Sequence, residues 1–198
     1  MKYGSKQDPY LDKHGVLRNK LGAQTEQELE LAENIFVLRK LALLLQNPIS
    51  GKFDLKHLKA IHRYLFEDIY SWAGKLRTVS ISKGNSMFAH PLRIEIEATK
   101  LFEKLKEENY LLGLEQEVVI QRLAFYLGEL NILHPFREGN GRTQRAFLIL
   151  LARQAGYHLH FGQLDPELNI AASIRANVCD YSLLEKIIRD RIQPLETL

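Results

Sequence analysis

Cysteine is almost missing from this chain: Cys179 is the only one among 198 residues. No disulfide can form within the chain, and no cysteine cage for zinc or an iron–sulfur cluster can be built. That usage suits a reducing cytosol. Long apolar runs are missing too. None approaches the roughly 20 residues of a membrane span, and Met1-Lys2-Tyr3-Gly4 does not open a secretory signal. The chain reads as cytoplasmic, with no membrane partner. Charge of one sign is also scarce. Lys and Arg number 27 against 24 Asp and Glu, which leaves +3 and a pI near 8.9. That balance tolerates an anionic ligand but falls short of a nucleic-acid footprint, so no direct nucleic-acid contact is expected. Internal repeats, low-complexity tracts and sheet-building strands are likewise lacking.

What remains is one domain's worth of amphipathic helix. At 198 residues the chain can bury roughly 70% of its unfolded surface and needs no disulfide staple. Residues 1–24 are polar, carry the turn signals Asp8-Pro9-Tyr10 and His14-Gly15, and read as an N-terminal arm. Residues 25–198 read as the main domain. A capping box at Thr25 and Glu28 opens a first helix, whose expected apolar face takes in Leu29, Ala32, Ile35, Phe36, Leu38, Leu41, Leu44 and Leu45 before Asn47-Pro48 ends it. Asp54 caps a second helix. Thr78 to Ser82 alternates with period 2, Lys83-Gly84-Asn85-Ser86 is turn chemistry, and Met87-Phe88-Ala89 resumes an apolar stretch. This hairpin is the only β element expected. Helical periodicity returns at 92–109, 115–133, 141–155, 165–177 and 181–191. The fold class is all-α with one appended hairpin.

The chemistry is concentrated in His134-Pro135-Phe136-Arg137-Glu138-Gly139-Asn140-Gly141-Arg142-Thr143-Gln144-Arg145. Proline disfavours helical geometry in the residue before it, so His134 should sit at a helix exit. A new helix should open at Gly141 or Arg142, with Asn140 as N-cap. A helix N-terminus offers unpaired N–H groups and partial positive charge, which suit phosphate. Gly139 and Gly141 let a phosphate oxygen approach the backbone. Arg142 and Arg145 share a helix face and can grip phosphate bidentately. Glu138 offers a hard oxygen to Mg²⁺, which bridges substrate phosphates. Neutral His134 could take a proton from an attacking hydroxyl. Each residue alone is ordinary, and the case rests on their conjunction. The run is neither a Walker A loop nor a zincin motif.

In full, this run is identified with the signature of the Fic family, His-Pro-Phe-x-(Asp/Glu)-Gly-Asn-Gly-Arg-x-x-Arg. Ser71 to Arg77 and the hairpin ending at Ala89-His90 resemble the family's lead-in and target-docking flap. Asp8-Pro9-Tyr10 and Arg18 to Gly22 resemble its small bacterial toxin branch. The resemblance implies a Fic-domain helical fold with one hairpin flap, and a protein adenylyltransferase. Such an enzyme moves AMP from ATP to a Ser, Thr or Tyr hydroxyl of a target protein and releases pyrophosphate. By that analogy His134 is the general base and Glu138 the Mg²⁺ ligand. Asn140, with the Gly139 and Gly141 backbone, forms the anion hole. Arg142 meets the β-phosphate and Arg145 the γ-phosphate. Lys83, Gly84, Arg137 and Asn177 are further ATP contacts. Ser80, Ile81, Ser82 and Met87 form the flap that receives the target by strand addition. Residues 175–184 resemble the adenine-side helix pair loosely, since many members have glycine where Cys179 stands.

Many members also carry an inhibitory helix with Ser or Thr, then Glu four residues later, then Gly or Asn. No such string occurs here: Ser5, Thr25, Ser71, Ser173 and Ser182 all lack the glutamate. The resemblance therefore implies the toxin of a toxin–antitoxin pair, silenced by a small separate antitoxin whose glutamate meets Arg145. Its target by analogy is a type II topoisomerase subunit. Rival readings are transfer of UMP or phosphocholine by the same fold, or a non-enzymatic all-α module that binds DNA or another partner. Gly141 argues against a kinase-like branch, which has lysine there.

Overall fold

The computed structural model describes residues 8–83, 86–162 and 164–195. Seven helices form the body: α1 (Glu26–Gln46), α2 (Leu55–Phe66), α3 (Pro91–Glu107), α4 (Gln116–Leu133), α5 (Asn140–Gln154), α6 (Pro166–Ala176) and α7 (Ser182–Arg189). α4 is the central element and packs against α3, α5, α6 and α7. Its Val119, Ile120, Leu123, Ala124, Tyr126, Leu127, Leu130 and Leu133 are all buried. None of the described helices is long and apolar enough to cross a membrane. The all-α expectation with a hairpin holds.

Local chemistry sets the boundaries. Thr25 Oγ1 accepts from the Glu28 N–H while the Glu28 carboxylate accepts from the Thr25 N–H, which is the expected capping box. Asp54 caps α2 through the His57 N–H at 2.7 Å. Pro91 sits in the first turn of α3, where its missing N–H costs nothing.

Two expectations need correction. The hairpin strands β1 (Ser82–Lys83) and β2 (Ser86–Met87) are shorter than the alternation predicts and pair Ser82 with Met87 and Lys83 with Ser86. The hairpin is not the only β element. Strand β3 (Tyr157–Leu159) pairs antiparallel with β4 (Ile192–Pro194), tying the chain's last described segment to the end of α5. The apolar Tyr157, Leu159 and Phe161 alternate with His158 and His160, a period-2 pattern that could have revealed it.

The face that α1 buries also differs from expectation. Leu29, Glu33, Val37 and Leu44 face inward, whereas Ile35, Phe36 and Leu38 are exposed. The cause is Glu33, whose carboxylate bonds Tyr70 and Arg142 inside the body and fixes the helix's rotation.

Residues 8–24 lie against the body. Leu11 and Leu17 bridge, Val16 joins the core, and the Tyr10 ring meets Trp72 edge-on at 5.3 Å. Asp8 forms an ion pair with Arg137 at 2.7 Å, with both side chains only 2% exposed. Removing one partner of a buried pair leaves an uncompensated charge and costs about 3–5 kcal/mol. Asp8→Ala should therefore lower the melting temperature by about 10 °C, measured by calorimetry. A shift under about 2 °C would remove this pair from the fold's main supports.

Candidate active site

The site is built where α4 ends and α5 begins. His134 closes α4 with its N–H on the Leu130 carbonyl at 3.0 Å. Its backbone is left-handed, φ 43° and ψ 61°, a costly conformation for a residue with a Cβ and one that gathers at functional sites. The residue is 8% exposed. Phe88, just after β2, stacks on it with ring centroids 3.8 Å apart and planes 16° apart. Nδ1 lies 3.2 Å from the Asn131 carbonyl. That bond assigns the proton to Nδ1 and makes Nε2 the basic nitrogen. Burial pulls the pKa down to about 3, with the positive charges of Arg77 and Lys83 acting in the same direction and the Asn131 bond against it. The imidazole is thus neutral, as a proton acceptor must be.

Pro135 to Gly139 is held by a second buried histidine. His62 Nδ1 accepts from the Gly74 N–H at 2.8 Å, so its Nε2–H donates to the Glu138 carbonyl at 3.0 Å. Its ring stacks on Phe136 at 3.8 Å. Burial keeps His62 neutral, with its pKa near 3.

Asn140 corrects an expectation. α5 begins at Asn140 itself, and the cap position is Gly139, without a side-chain cap bond. The Asn140 amide does not line an anion hole. Its Oδ1 accepts from the Phe136 N–H at 2.8 Å and its Nδ2 donates to the Phe136 carbonyl at 2.7 Å, which closes the loop. The N–H groups opening α5 have no acceptor within the helix, and the absent cap leaves them to a ligand. Gly139 is required for a different reason than phosphate approach. Its φ is +79°, and a Cβ there would lie 2.3 Å from the Phe66 ring.

The three arginines of the run part ways. Arg137, expected as an ATP contact, pairs its buried guanidinium with Asp8. Arg142 bonds Glu33, lies 3.6 Å from Glu138, and sits over the Phe66 ring at 4.9 Å. Arg145 has no carboxylate partner among the described residues, and burial together with the charge of Arg142 depresses its pKa. It lines a small cavity of about 40 Å³ with Gly141, Gln144, Asn131, Asn169 and Ser173, bordered by leucine, isoleucine and phenylalanine side chains. Asn177 is exposed at the end of α6 and does not line this cavity; Ser173 and Asn169, one and two turns earlier, do.

Glu138 is half-buried, and its Oε1 accepts from the Gly139 N–H at 3.0 Å. No cluster of three or more His, Cys, Asp or Glu that could hold a metal lies among the described residues. Glu138 shares Arg142 with Glu33, and as the one carboxylate of the loop it fits an ion whose other ligands are phosphates and water, not an all-protein cage. Lys83 is exposed on β1, near enough for its charge to act on His134. Gly84 lies outside the described residues. On the flap, Ser80, Ser82 and Met87 are exposed, Met87 at 79%, whereas the Ile81 side chain is buried at 6% and anchors the hairpin rather than meeting a target.

Residues 52–152 match the model of the Fic/DOC family. The chain belongs to the Fic/DOC family. Protein adenylyltransferase VbhT of Bartonella schoenbuchensis is 45% identical over 95% of this chain, which spans 40% of VbhT's length. Fic of Escherichia coli K12, named as a probable protein adenylyltransferase, is 40% identical over 94% of this chain and 92% of its own. The crystal structure of a Bep effector Fic domain from Bartonella quintana, with bound ADP, superposes with a TM-score of 0.87. It is 29% identical and covers 94% of this chain and 95% of that one. Relatives matched along nearly their whole length place this Fic-family chain among nucleotidyltransferases.

Sequence reasoning missed Asp8, Glu33, His62, Tyr70, Arg77 and Phe88 as parts of the site. Only Glu33 left a trace, as a lone carboxylate four residues from Leu29 and from Val37 on one helix face.

Proposed function

We propose that the chain is a protein adenylyltransferase acting on a hydroxyl side chain of a target protein. The observation that carries this reading is Arg145: a partly buried guanidinium with no carboxylate partner among the described residues, in the second turn of a helix that lacks a side-chain cap. Such a charge calls for an anion. The polyphosphate of ATP would lie over the N-terminus of α5 between Arg142 and Arg145. The target hydroxyl oxygen attacks the α-phosphorus. The bond from that phosphorus to the bridging oxygen breaks, and pyrophosphate leaves. The hydroxyl proton passes to His134 Nε2. The ADP in the Bartonella quintana Fic domain supports nucleotide use. Mass spectrometry of a target modified in a nucleotide mixture tests the group transferred. AMP supports the reading, and UMP, phosphocholine or phosphate overturns it.

Glu138 would hold Mg²⁺, which neutralises phosphate charge when bound. Glu138→Ala should weaken binding of Mg-ATP by about tenfold and leave metal-free ATP nearly unchanged, read by calorimetry. Equal losses with and without Mg²⁺ would count against the ligand assignment.

The chain is further read as a cytoplasmic toxin held by a small antitoxin whose helix sets a glutamate against Arg145. Leu31, Ile35 and Leu38, exposed at i, i+4 and i+7 on α1, support this reading by offering an apolar stripe to an amphipathic helix. Expression of the chain alone should arrest bacterial growth, while the His134→Ala form is harmless. A harmless wild type would remove the toxin reading. A type II topoisomerase subunit is the target class proposed, tested by its modification in the arrested cells.

A further inference from the structure

Arg77 is a fully buried arginine that forms no ion pair among the described residues. Its neighbours are carbonyls. Nε donates to the His134 carbonyl at 2.8 Å, and Nη1 to Val79 at 2.7 Å. Nη2 donates to Ala89 and, at 3.2 Å, to Leu133. The Arg77 N–H adds a bond to the Pro135 carbonyl at 2.9 Å. Burial lowers its pKa to about 10, which still leaves it charged at pH 7. A buried cation is costly unless its donors are satisfied. Here four carbonyls satisfy it, two of them from the C-terminal end of α4, where the helix dipole favours positive charge.

The acceptors have a common meaning. Val79 lies on the chain entering the flap and Ala89 on the chain leaving it. Leu133 and His134 are the last residues of the helix that presents the imidazole. One planar guanidinium therefore holds both stems of the flap and the backbone of His134. The second stem carries Phe88, whose ring lies on the His134 ring. Ala89 is tied to the same helix end by its N–H on the Ile132 carbonyl at 3.0 Å. The imidazole is gripped from its own backbone and from its face, and Arg77 takes part in both grips.

We propose that Arg77 is a positioning residue that holds the His134 imidazole and the flap in one fixed relation, so that a target seated on the flap is aligned with the base. This rests on reading His134 as that base. Lysine keeps the charge but cannot span carbonyls arranged around a flat fork.

In Arg77→Lys, three results are expected together. The kcat per nucleotide-binding molecule should fall about 100-fold, the scale of an ångström's misplacement. The His134 ring-proton resonances should lose the ring-current shift given by Phe88. The nucleotide dissociation constant should change less than about threefold, because Arg77 touches none of the phosphate-binding groups. A variant with a lower melting temperature but unchanged His134 resonances and kcat would overturn the proposal, since a merely structural arginine gives that result. Phe88→Ala serves if Arg77→Lys does not fold. It removes only a half-buried ring, and must shift the His134 resonances and lower kcat at least tenfold with nucleotide affinity kept; unchanged values overturn the proposal. His134→Ala is the control. If it transfers at the wild-type rate, the reading of the base fails. If it is inactive while Arg77→Lys is fully active, only the positioning proposal fails.

Discussion

His134→Ala is expected to lose about 10²–10⁴-fold in the rate of transfer, the usual contribution of a general base, while nucleotide still binds. The reason is geometric before it is electrostatic. The ring is held at a left-handed helix exit, with Nδ1 committed to the Asn131 carbonyl and one face against Phe88. That makes Nε2 the basic nitrogen. The depressed pKa fixes the sign of the pH effect: lowering it favours the neutral, proton-accepting form. In the nucleotide-free protein, His134 should therefore not titrate between pH 5 and 8, the window in which an ordinary histidine changes charge. Carbon-detected histidine spectra across that range check this. A midpoint near 6.5 would mean that the ring is solvated and the stack with Phe88 open. A variant that keeps more than about a tenth of wild-type transfer would remove His134 from the role of base.

Gly139→Ala should be the most damaging small substitution in the loop. Two penalties coincide there. Alanine is strained at φ +79°, by about 1–2 kcal/mol. Its Cβ would also stand 2.3 to 2.9 Å from three atoms of the Phe66 ring, which is fully buried and packed under Arg142 and His62. Overpacking of that kind adds about 1–3 kcal/mol. Gly156→Ala separates the two terms. Its φ is +91°, yet nothing lies within 4 Å of the added carbon. Chemical denaturation should find Gly139→Ala about twice as destabilising as Gly156→Ala or worse. Transfer activity should fall only in the former, because displacing Phe66 moves Arg142. Equal losses would mean that Phe66 yields freely and that the loop tolerates a side chain.

Much of the site was legible because it is local. A proline after His134, two glycines around an amide and two arginines three apart dictate a helix exit, a tight loop and a helix start, whatever the rest of the chain does. What was not legible depends on partners far along the chain. Arg137 reads only as an ATP contact, and its ion pair with Asp8, 129 residues earlier, has no signal in the motif. The apolar face read for α1 holds at Leu29, Leu41, Leu44 and Leu45 but not at Ile35, Phe36 and Leu38, and the inward turn of Glu33 depends on Arg142, 109 residues away. Asn140 carries N-cap chemistry, but its amide found better partners on Phe136 within the same loop. Strands β3 and β4 are three residues each and pair across more than thirty residues of chain, so the short alternation around Tyr157 to Phe161 has no visible partner. Arg77 sits in a stretch read for its likeness to a lead-in, and its role appears only when four carbonyls from three segments converge on it.

The central claim is that this site moves AMP from ATP to protein. The most direct measurement incubates the purified chain and a bacterial lysate with ATP labelled either at the α-phosphate or at the γ-phosphate, using wild-type and His134→Ala proteins in parallel. The account predicts that α-label becomes covalently attached to protein with the wild type alone, and that γ-label leaves as pyrophosphate. Attachment of γ-label, or α-labelling that persists in His134→Ala, would contradict it.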